Sequence, residues 1–450
     1  MKNHNKMRKI LLILALSLWS IGATAQDATT APAEVNERVG QAMNASDWFE
    51  LARIYSAEKE NIDPFLRTYA ESLLATFFGR PAEATMAIER LIGTYGAMIG
   101  DGALGMWFYW GINQTRMGEY GIAAEGVARE LAKLKSGVAD ASIEPLLDVV
   151  EQWRELSQFD RVNWLERPAE GDVRVPFRLV SVRPEKGDAQ RIHFDAKFNG
   201  VAQEVVFDTG AGVNVVSVEA AERLGLKMLE AESEAHGIGG TQQGRYAVAE
   251  RVELGNATLH NVPFYVISMR TGVDSLDRRY MSQLEVVMGA DVIRAMEEVH
   301  IDFEHSEIIS PREQTLDYDS QPNVCSSPAL FEVECEINGE RQVVSIDTGA
   351  TQSNLSAQYF ATHREQIERE GVLDTLRSAG AGGIKIEQAY ALRNVRIDIG
   401  GASHTWEKMM CSTEPDIISS AGNIGMDCLT TFSRVVINAR TMRLSVEERH

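Results

Sequence analysis

Two patterns of hydrophobic and polar positions divide the chain. From about Val35 to Leu156, apolar residues recur with a helical period, and the stretch is rich in Ala, Leu, Glu and Met. Near Asp160 the pattern changes to alternation, and Val173–Leu179 places an apolar residue at every second position, as in a half-buried strand. Short strands separated by Gly and Asn turns are predicted from there onward. The pattern predicts an all-α region followed by an all-β region.

The β region itself divides in two. A polar stretch, Arg312–Asn323, separates two strand-rich segments and is the best linker candidate. We therefore expect a helical domain over residues 33–160, a first β domain over 172–311 and a second β domain over 324–450.

The helical segment contains two similar stretches. Gly79 and Gly118, 39 residues apart, each follow an apolar helix and precede an Ala-rich one. The arrangement resembles helical hairpins of the tetratricopeptide type, although that repeat has a shorter period of about 34 residues. An irregular helical bundle is the alternative. The aromatic run Trp107–Trp110 is predicted to pack between helices rather than to bind a ligand.

The two strand-rich segments repeat one motif. Phe198–Ala211 and Ile337–Ala350 both read as an Asn-Gly turn, an apolar strand and the sequence Asp-Thr-Gly-Ala. The Asn-Gly pair favours a tight hairpin turn, and it stands nine residues before the aspartate in each copy. Two copies with matched flanks are much harder to dismiss than one, because a single Asp-Thr-Gly occurs in many ordinary turns.

The match continues beyond the Asp-Thr-Gly turns. Each copy has a Gly-rich stretch, at Gly237–Gly240 and Gly380–Gly383. Each then has a short element closed by glycine, at Val287–Gly289 and Asn423–Gly425, and the glycine follows the aspartate by 81 and 78 residues.

With these motifs, each repeat resembles one lobe of a retropepsin-like aspartic peptidase, and the resemblance covers the chain from about Asp172 onward. It implies two all-β acid-protease lobes in one chain behind the helical-hairpin domain. It also implies that Asp208 and Asp347 form the catalytic pair. The residues that would support this pair are those that complete the two turns: Thr209, Gly210, Thr348 and Gly349.

The chemistry explains why two copies are needed. Hydrolysis of a peptide without a metal needs a base to activate water and an acid to protonate the intermediate. Two close carboxylates that share one proton supply both, because like charges so near each other cannot both ionise. No metal or other cofactor is expected. The two turns can meet within one chain, or between two chains.

The Gly-rich stretches are predicted to form flaps that close over a substrate. The glycines assigned to them are Gly237, Gly239, Gly240, Gly382 and Gly383. Tyr246 lies near the first flap, and no aromatic residue takes a matching place in the second. After the Asp-Thr-Gly-Ala sequence the first copy has Gly212 where the second has Thr351, which predicts a less well supported Asp208. Asp291 and Asp427 are predicted to cap helices.

The N-terminus is typical of a secretory signal peptide over residues 1–25. Four cations precede an apolar stretch, Ile10–Ile21, and the small-residue site Ala23–Ala25 follows. The apolar stretch is too short to span a membrane, which needs about 20 residues. We expect a periplasmic or secreted protein with no membrane span after removal of the signal.

Charge and cysteine content restrict the possible partners. The formal net charge of −21 argues against nucleic-acid binding, which depends on clustered Lys and Arg. The four cysteines permit two disulfides in an exported protein, or they are buried thiols. They lack the spacing of a zinc site and are all in the last third of the chain: Cys325, Cys335, Cys411 and Cys428.

The sequence predicts an exported aspartic endopeptidase that acts on polypeptides. One alternative is a protein that binds peptide in the same cleft without cutting it, with the helical domain as a scaffold for a protein partner. A further alternative is that the helical segment is an inhibitory or folding segment removed on maturation between Leu156 and Val173, although its length favours a permanent domain.

Overall fold

The computed structural model describes residues 30–134, 140–182, 190–237, 240–271, 273, 277, 280–316, 321–327, 330–380, 383–414 and 420–449. The expected signal peptide, residues 1–25, lies outside them. The chain divides into two units, residues 1–160 and 161–450.

The first unit is all α-helical in its described part, as the 3.6-residue period predicts. Its helices are α1 (Thr30–Asn44), α2 (Trp48–Glu58), α3 (Pro64–Phe77), α4 (Pro81–Ile99), α5 (Ala103–Arg116), α6 (Tyr120–Leu134) and α7 (Asp140–Leu156). Short 3₁₀ turns cover Lys59–Asn61 and Gly100–Gly102. Asp47 and Asp63 cap α2 and α3 by accepting backbone N–H groups of the first turn.

Sequence-adjacent helices of this unit pack against each other. Gly79 and Gly118 stand at the α3–α4 and α5–α6 turns with φ of 66° and 84°, a conformation that costs glycine nothing. The aromatic run packs between helices as predicted, since Phe108 stacks on Trp153 and Tyr109 meets the edge of Phe77.

The second unit is mainly β. Its strands in the first half are β1 (Trp164–Glu166), β2 (Val173–Ser181), β3 (Gln190–Phe198), β4 (Val201–Phe207), β5 (Val215–Ser217), β6 (Lys227–Gly237), β7 (Gly240–Leu254), β8 (Ala257–Ile267), β9 (Val286–Met288), β10 (Glu298–Asp302) and β11 (Glu307–Ser310). Two helices, α8 (Val218–Arg223) and α9 (Ala290–Met296), and a 3₁₀ turn, Met281–Leu284, interrupt them.

The second half repeats this order. Its strands are β12 (Val324–Ser326), β13 (Phe331–Ile337), β14 (Glu340–Ile346), β15 (Asn354–Leu355), β16 (Val372–Gly380), β17 (Gly383–Ile399), β18 (Ala402–Ser412), β19 (Gly422–Ile424), β20 (Phe432–Asn438) and β21 (Arg443–Glu448). Its helices are α10 (Ala357–Glu370) and α11 (Met426–Leu429).

The two halves form lobes that match strand for strand. The order β3-β4-β9-β5-β8-β7-β6 in the first lobe corresponds to β13-β14-β19-β15-β18-β17-β16 in the second. The corresponding pairs also agree in direction, since β4–β9 and β14–β19 are both parallel. The Asn199-Gly200 and Asn338-Gly339 turns carry positive φ at both residues, which confirms the predicted hairpins.

Strands from both lobes pair with each other at one place. β20 of the second lobe pairs antiparallel with β10 of the first lobe, and the sheet continues through β11 to β2. Glu298, on β10, is buried and accepts a hydrogen bond from Asn438 Nδ2, on β20, at 2.6 Å. β20 and β21 therefore belong to the sheet of the first lobe, whereas the other strands of the second half, β12–β19, form a separate sheet of eight strands.

The first lobe begins earlier than the predicted boundary at residue 172. β1 pairs with β8, and Arg167 donates to the carbonyl oxygens of Met296 and Ser310. A strand of three residues is too short for alternation to reveal it. The stretch that the sequence offered as a place for pro-segment removal is therefore partly built into the β unit.

The cysteines are buried free thiols. Of the two alternatives that the sequence left open, two disulfides is therefore wrong, and buried thiols agrees with the structure. Cys325, Cys335, Cys411 and Cys428 are all unbridged. Burial raises the pKa of Cys335 and Cys411 to about 12, so both stay protonated at neutral pH.

No helix among the described residues is long and apolar enough to cross a membrane.

Candidate active site

Each Asp-Thr-Gly turn begins where a buried strand ends. The N–H of Asp208 donates to Met288 O at 3.0 Å, just after β4, and the N–H of Asp347 donates to Ile424 O at 2.9 Å, just after β14. The last three residues of both strands are buried, and all of them except Ser345 are apolar, which fixes the start of both turns.

Two threonines join the turns through crossed hydrogen bonds. Thr209 Oγ1 donates to Ile346 O at 2.7 Å and accepts the N–H of Thr348 at 3.1 Å. Thr348 Oγ1 donates to Phe207 O at 2.7 Å and accepts the N–H of Thr209 at 3.0 Å. Both side chains are buried. The two turns are thereby held face to face.

The glycines bring the carboxyl groups together. A Cβ built on Gly210 would stand 2.3 Å from Asp347 Cγ, and one on Gly349 would stand 2.3 Å from Asp208 Cγ. Real Cβ atoms do not approach other heavy atoms that closely, so both positions require glycine. Each carboxyl group therefore lies directly against the turn of the other lobe.

The two aspartates differ in their hydrogen-bond donors. Asp347 Oδ1 accepts the N–H groups of Gly349 and Ala350 at 2.9 and 2.8 Å, and its Oδ2 accepts Asn423 Nδ2 at 2.8 Å. Among the described residues, the one backbone N–H donated to the Asp208 carboxyl group is that of Gly210, at 2.9 Å. The sequence predicted weaker support for Asp208 from Gly212. The difference arises one residue earlier, because the N–H of Ala211 donates to the carbonyl oxygen of Asp208 instead.

Burial raises the pKa of Asp208 well above its usual range, and the negative charge of Asp347 and a hydrogen bond with that carboxyl group raise it further. Arg191 and the N–H of Gly210 oppose this rise without cancelling it. Asp208 is therefore suited to hold a proton at pH values where an ordinary aspartate is ionised.

Arg191 is a site residue that the sequence analysis missed. Its Nε donates to Gly349 O at 2.8 Å, and its charge interacts with both aspartates. Burial lowers the pKa of Arg191, and the two carboxylates raise it in opposition. The matching position of the second repeat is Leu330, so comparison of the two copies gave no signal for a cation here.

Gly289 and Gly425 pack beneath the two Asp-Thr-Gly turns. A Cβ on Gly289 would stand 2.3 Å from Ala211 O, and one on Gly425 would stand 2.8 Å from Ala350 O. Asn214 Oδ1 accepts the N–H of Gly289, and Ser353 Oγ accepts that of Gly425, each at 2.9 Å.

Asp427 was predicted to cap a helix, and this prediction is wrong, because Gly425 occupies the cap position of α11. Its carboxylate accepts the N–H and the hydroxyl of Ser353 and the indole N–H of Trp406. The carboxylate therefore orients the serine that holds Gly425. Asp291 does not cap α9 either, because Gly289 occupies the cap position.

The predicted flaps are the ends of two long hairpins. Gly237 pairs with Gly240 at the end of β6–β7, and Gly380 pairs with Gly383 at the end of β16–β17. Gly239 and Gly382 lie outside the described residues. Tyr246 is on β7, where its ring makes an edge contact with Tyr265. It therefore packs against the apolar core of the first lobe.

An aspartyl protease family model matches residues 194–292. The match contains the first Asp-Thr-Gly turn and Gly289. No curated protein matches the chain. Among solved structures, a retropepsin-like aspartic protease from Rickettsia conorii is similar, with 15% identity and a TM-score of 0.21, over 34% of this chain and 94% of that one.

Proposed function

We propose that this chain is an exported aspartic endopeptidase that hydrolyses polypeptides with water activated by Asp208 and Asp347. The observation that carries the proposal is the crossed pair of Thr209 and Thr348, which sets two Asp-Thr-Gly turns against each other. The aspartyl protease match over residues 194–292 supports the reaction class.

The dyad can perform each proton transfer. Asp347 takes a proton from water as the water oxygen attacks the scissile carbonyl carbon, and Asp208 gives its proton to the carbonyl oxygen. In the breakdown of the intermediate, Asp347 passes its proton to the leaving nitrogen and the C–N bond breaks. A hydroxyl of the intermediate returns a proton to Asp208, so the pair ends with the proton it began with.

The test is cleavage of a mixed peptide library between about pH 4 and pH 8, because two coupled carboxyl groups titrate as a pair and the active pH range belongs to that pair. Wild type is compared with Asp208→Asn and Asp347→Asn, and the control is Asp195→Asn, which removes an exposed acid paired with Arg178. We expect cleavage that disappears in both dyad variants and persists in the control. Cleavage that survives either dyad substitution would rule out the mechanism.

The same variants test whether one chain forms the whole site. Each of them retains one intact Asp-Thr-Gly turn. If the turns met between two chains, random pairing would make about half of the dimers in a mixture of the two variants mixed dimers, each with one intact site out of two. The mixture would then regain about a quarter of the wild-type activity. We expect the mixture to stay inactive, because both turns face each other within one chain.

Export is proposed from the sequence of residues 1–25. The four cations, the apolar stretch and the site at Ala23–Ala25 support it. Cell fractionation and N-terminal sequencing test it, and we expect the exported form to begin at Gln26. A full-length chain that stays in the cytoplasm would contradict this part of the proposal alone.

A peptide-binding function without cleavage is the second candidate. It is favoured by one observation, the unequal support of the aspartates, with one backbone N–H on Asp208 and three donors on Asp347. In that case the helical unit would be the scaffold for a protein partner. Binding of library peptides by wild type without any cleavage would favour this candidate.

A further inference from the structure

One strand position beside the dyad is polar in the second lobe and apolar in the first. In the first lobe Val206 of β4 pairs with Val287 of β9. In the second lobe the matching pair, on β14 and β19, is Ser345 and Asn423. The strand order and direction are the same in both lobes, so the difference is one of side chains only.

The polar pair forms a chain of hydrogen bonds that ends on the dyad. Ser345 Oγ donates to Asn423 Oδ1 at 2.8 Å, and Asn423 Nδ2 donates to Asp347 Oδ2 at 2.8 Å. Ser345 is buried. An amide turned the other way would direct its oxygen at the carboxylate, which is repulsive when that carboxylate is ionised. The ionised aspartate therefore fixes the orientation of the amide, and Ser345 Oγ, which also lies 3.3 Å from Gly422 O, donates to the amide oxygen in that orientation.

The apolar pair gives Asp208 no such donor. Val206 and Val287 belong to a buried cluster with Tyr265, Ile267 and Met281. A side-chain N–H that donates to a carboxylate stabilises its charged form, whereas an apolar wall favours the neutral form. The two sides of the dyad thus favour opposite protonation states.

We propose that Ser345 and Asn423 are positioning residues that make Asp347 the ionised, water-activating member of the dyad and leave the shared proton on Asp208. This inference rests on the proposed function, because it assigns roles within the same site. The raised pKa of Asp208 agrees with it. Arg191, on β3, is a charged side chain that interacts with both carboxyl groups. Its positive charge attracts both of them, so the sign of this interaction does not favour one aspartate over the other.

The first test is kinetic. Asn423→Leu removes the donor and keeps the number and branching of the side-chain heavy atoms, and Ser345→Ala removes the partner of the amide oxygen. We expect Asn423→Leu to lower kcat about tenfold or more, the order of an acid–base contribution, with KM changed less than about twofold. The acid limb of the kcat/KM profile, which belongs to the pair, should move to higher pH. Ser345→Ala should act in the same direction and less strongly, and Ser345→Thr should retain wild-type behaviour.

The control is Asn354→Leu, the same substitution on the neighbouring strand. Asn354 pairs with Asn423 across β15–β19, and its side-chain Nδ2 donates to Leu355 O at 3.4 Å. Its pH profile should match that of wild type. An Asn423→Leu profile that superimposes on wild type, with kcat within twofold, would overturn the proposal, and a lower melting temperature alone would show a merely structural role. If Asn423→Leu does not fold, the pH profiles of Ser345→Ala and Ser345→Thr test the proposal instead. Profiles of both that superimpose on wild type would then overturn it.

The second test does not require peptidase activity. Carboxyl ¹³C NMR of aspartate-labelled protein reports which member is protonated, with Asp208→Asn and Asp347→Asn for assignment. We expect wild type to show a protonated Asp208 beside an ionised Asp347. The double variant Ser345→Val/Asn423→Val copies the first lobe and should give a more evenly shared proton. A protonated Asp347 in wild type would overturn the proposal, whereas absence of cleavage with the expected NMR result would count against the proposed function only.

Discussion

The threonines of the two turns each satisfy buried backbone groups of the other lobe. Thr209 and Thr348 each donate to one carbonyl and accept one N–H across the interface. A buried backbone group without a partner costs about 1–3 kcal/mol. The hydroxyl groups therefore stabilise the association of the lobes as well as the geometry of the dyad.

Thr209→Val should leave Ile346 O and the N–H of Thr348 without these partners. We expect the free energy of unfolding to fall by about 2–4 kcal/mol. Thr209→Ser keeps the hydroxyl and is the matched control. Urea titration with hydrogen exchange in β4 and β14 measures the difference, and equal stability of the two variants would contradict the role given to the hydroxyl.

Arg191 sets a second prediction, for activity against pH. Its charge opposes the rise in the pKa of Asp208, so Arg191→Met should raise that pKa further. Asp208 would then hold its proton to higher pH, and the basic limb of the activity profile should shift upward. Arg191→Lys keeps the positive charge and should therefore show a smaller upward shift than Arg191→Met. The control Arg178→Gln removes an exposed arginine paired with Asp195 and Glu204.

The profile of kcat/KM against pH measures the Arg191 effect. An unchanged basic limb in Arg191→Met would mean that the guanidinium acts only through its bond to Gly349 O.

At the same scale, the sequence was informative where the two repeats agree. Asp208 and Asp347 were found because their motifs match, and the structure brings them together. Arg191, Ser345 and Asn423 were missed because their counterparts are Leu330, Val206 and Val287. A role that exists in one lobe only leaves no trace in the comparison of repeats.

At the scale of single elements, periodicity predicted strands and helices that bury one face. The alternation at Val173–Leu179 lies within β2, Val173–Ser181. β1, Trp164–Glu166, was missed because three residues do not establish a period, and it is held by pairing with β8. The flap glycines mark the ends of hairpins whose length depends on pairing that no local pattern encodes.

Two helix glycines give a matched test of packing in the first unit. A Cβ on Gly93, within α4, would meet nothing within 4 Å, whereas a Cβ on Gly126, within α6, would stand 2.4 Å from the ring of Trp110. Gly93→Ala should stabilise the helical unit by up to about 1 kcal/mol, because alanine loses less backbone freedom. Gly126→Ala should destabilise it, because the buried indole has to move.

Thermal unfolding followed by helical circular dichroism compares these two variants. The same sign of change in both would contradict the close packing of α5 against α6.

At the scale of the whole β unit, the sheet that joins the lobes depends on buried acids. Burial raises the pKa of Glu298, but hydrogen bonds from His300, Thr315 and Asn438 outweigh it and lower the pKa from its ordinary 4.5 to about 2. Burial likewise raises the pKa of Asp302, but the N–H of His305 and the guanidinium of Arg434 lower it to about 2. Asn438 and Arg434 come from the second lobe, so these acids link the two lobes.

A depressed folded-state pKa gives stability that is complete above the unfolded value and is lost as the pH falls toward the folded value. For Glu298 this window runs from 4.5 down to about 2. Glu298→Gln should lower the free energy of unfolding by about 2 kcal/mol at neutral pH and flatten its decline within the window. The exposed acid Glu250 supplies the control Glu250→Gln. Hydrogen exchange in β10 and β20 at stepped pH measures the change. Wild type and Glu298→Gln losing protection in parallel would show that the lobes are held together at acid pH by the strand pairing alone.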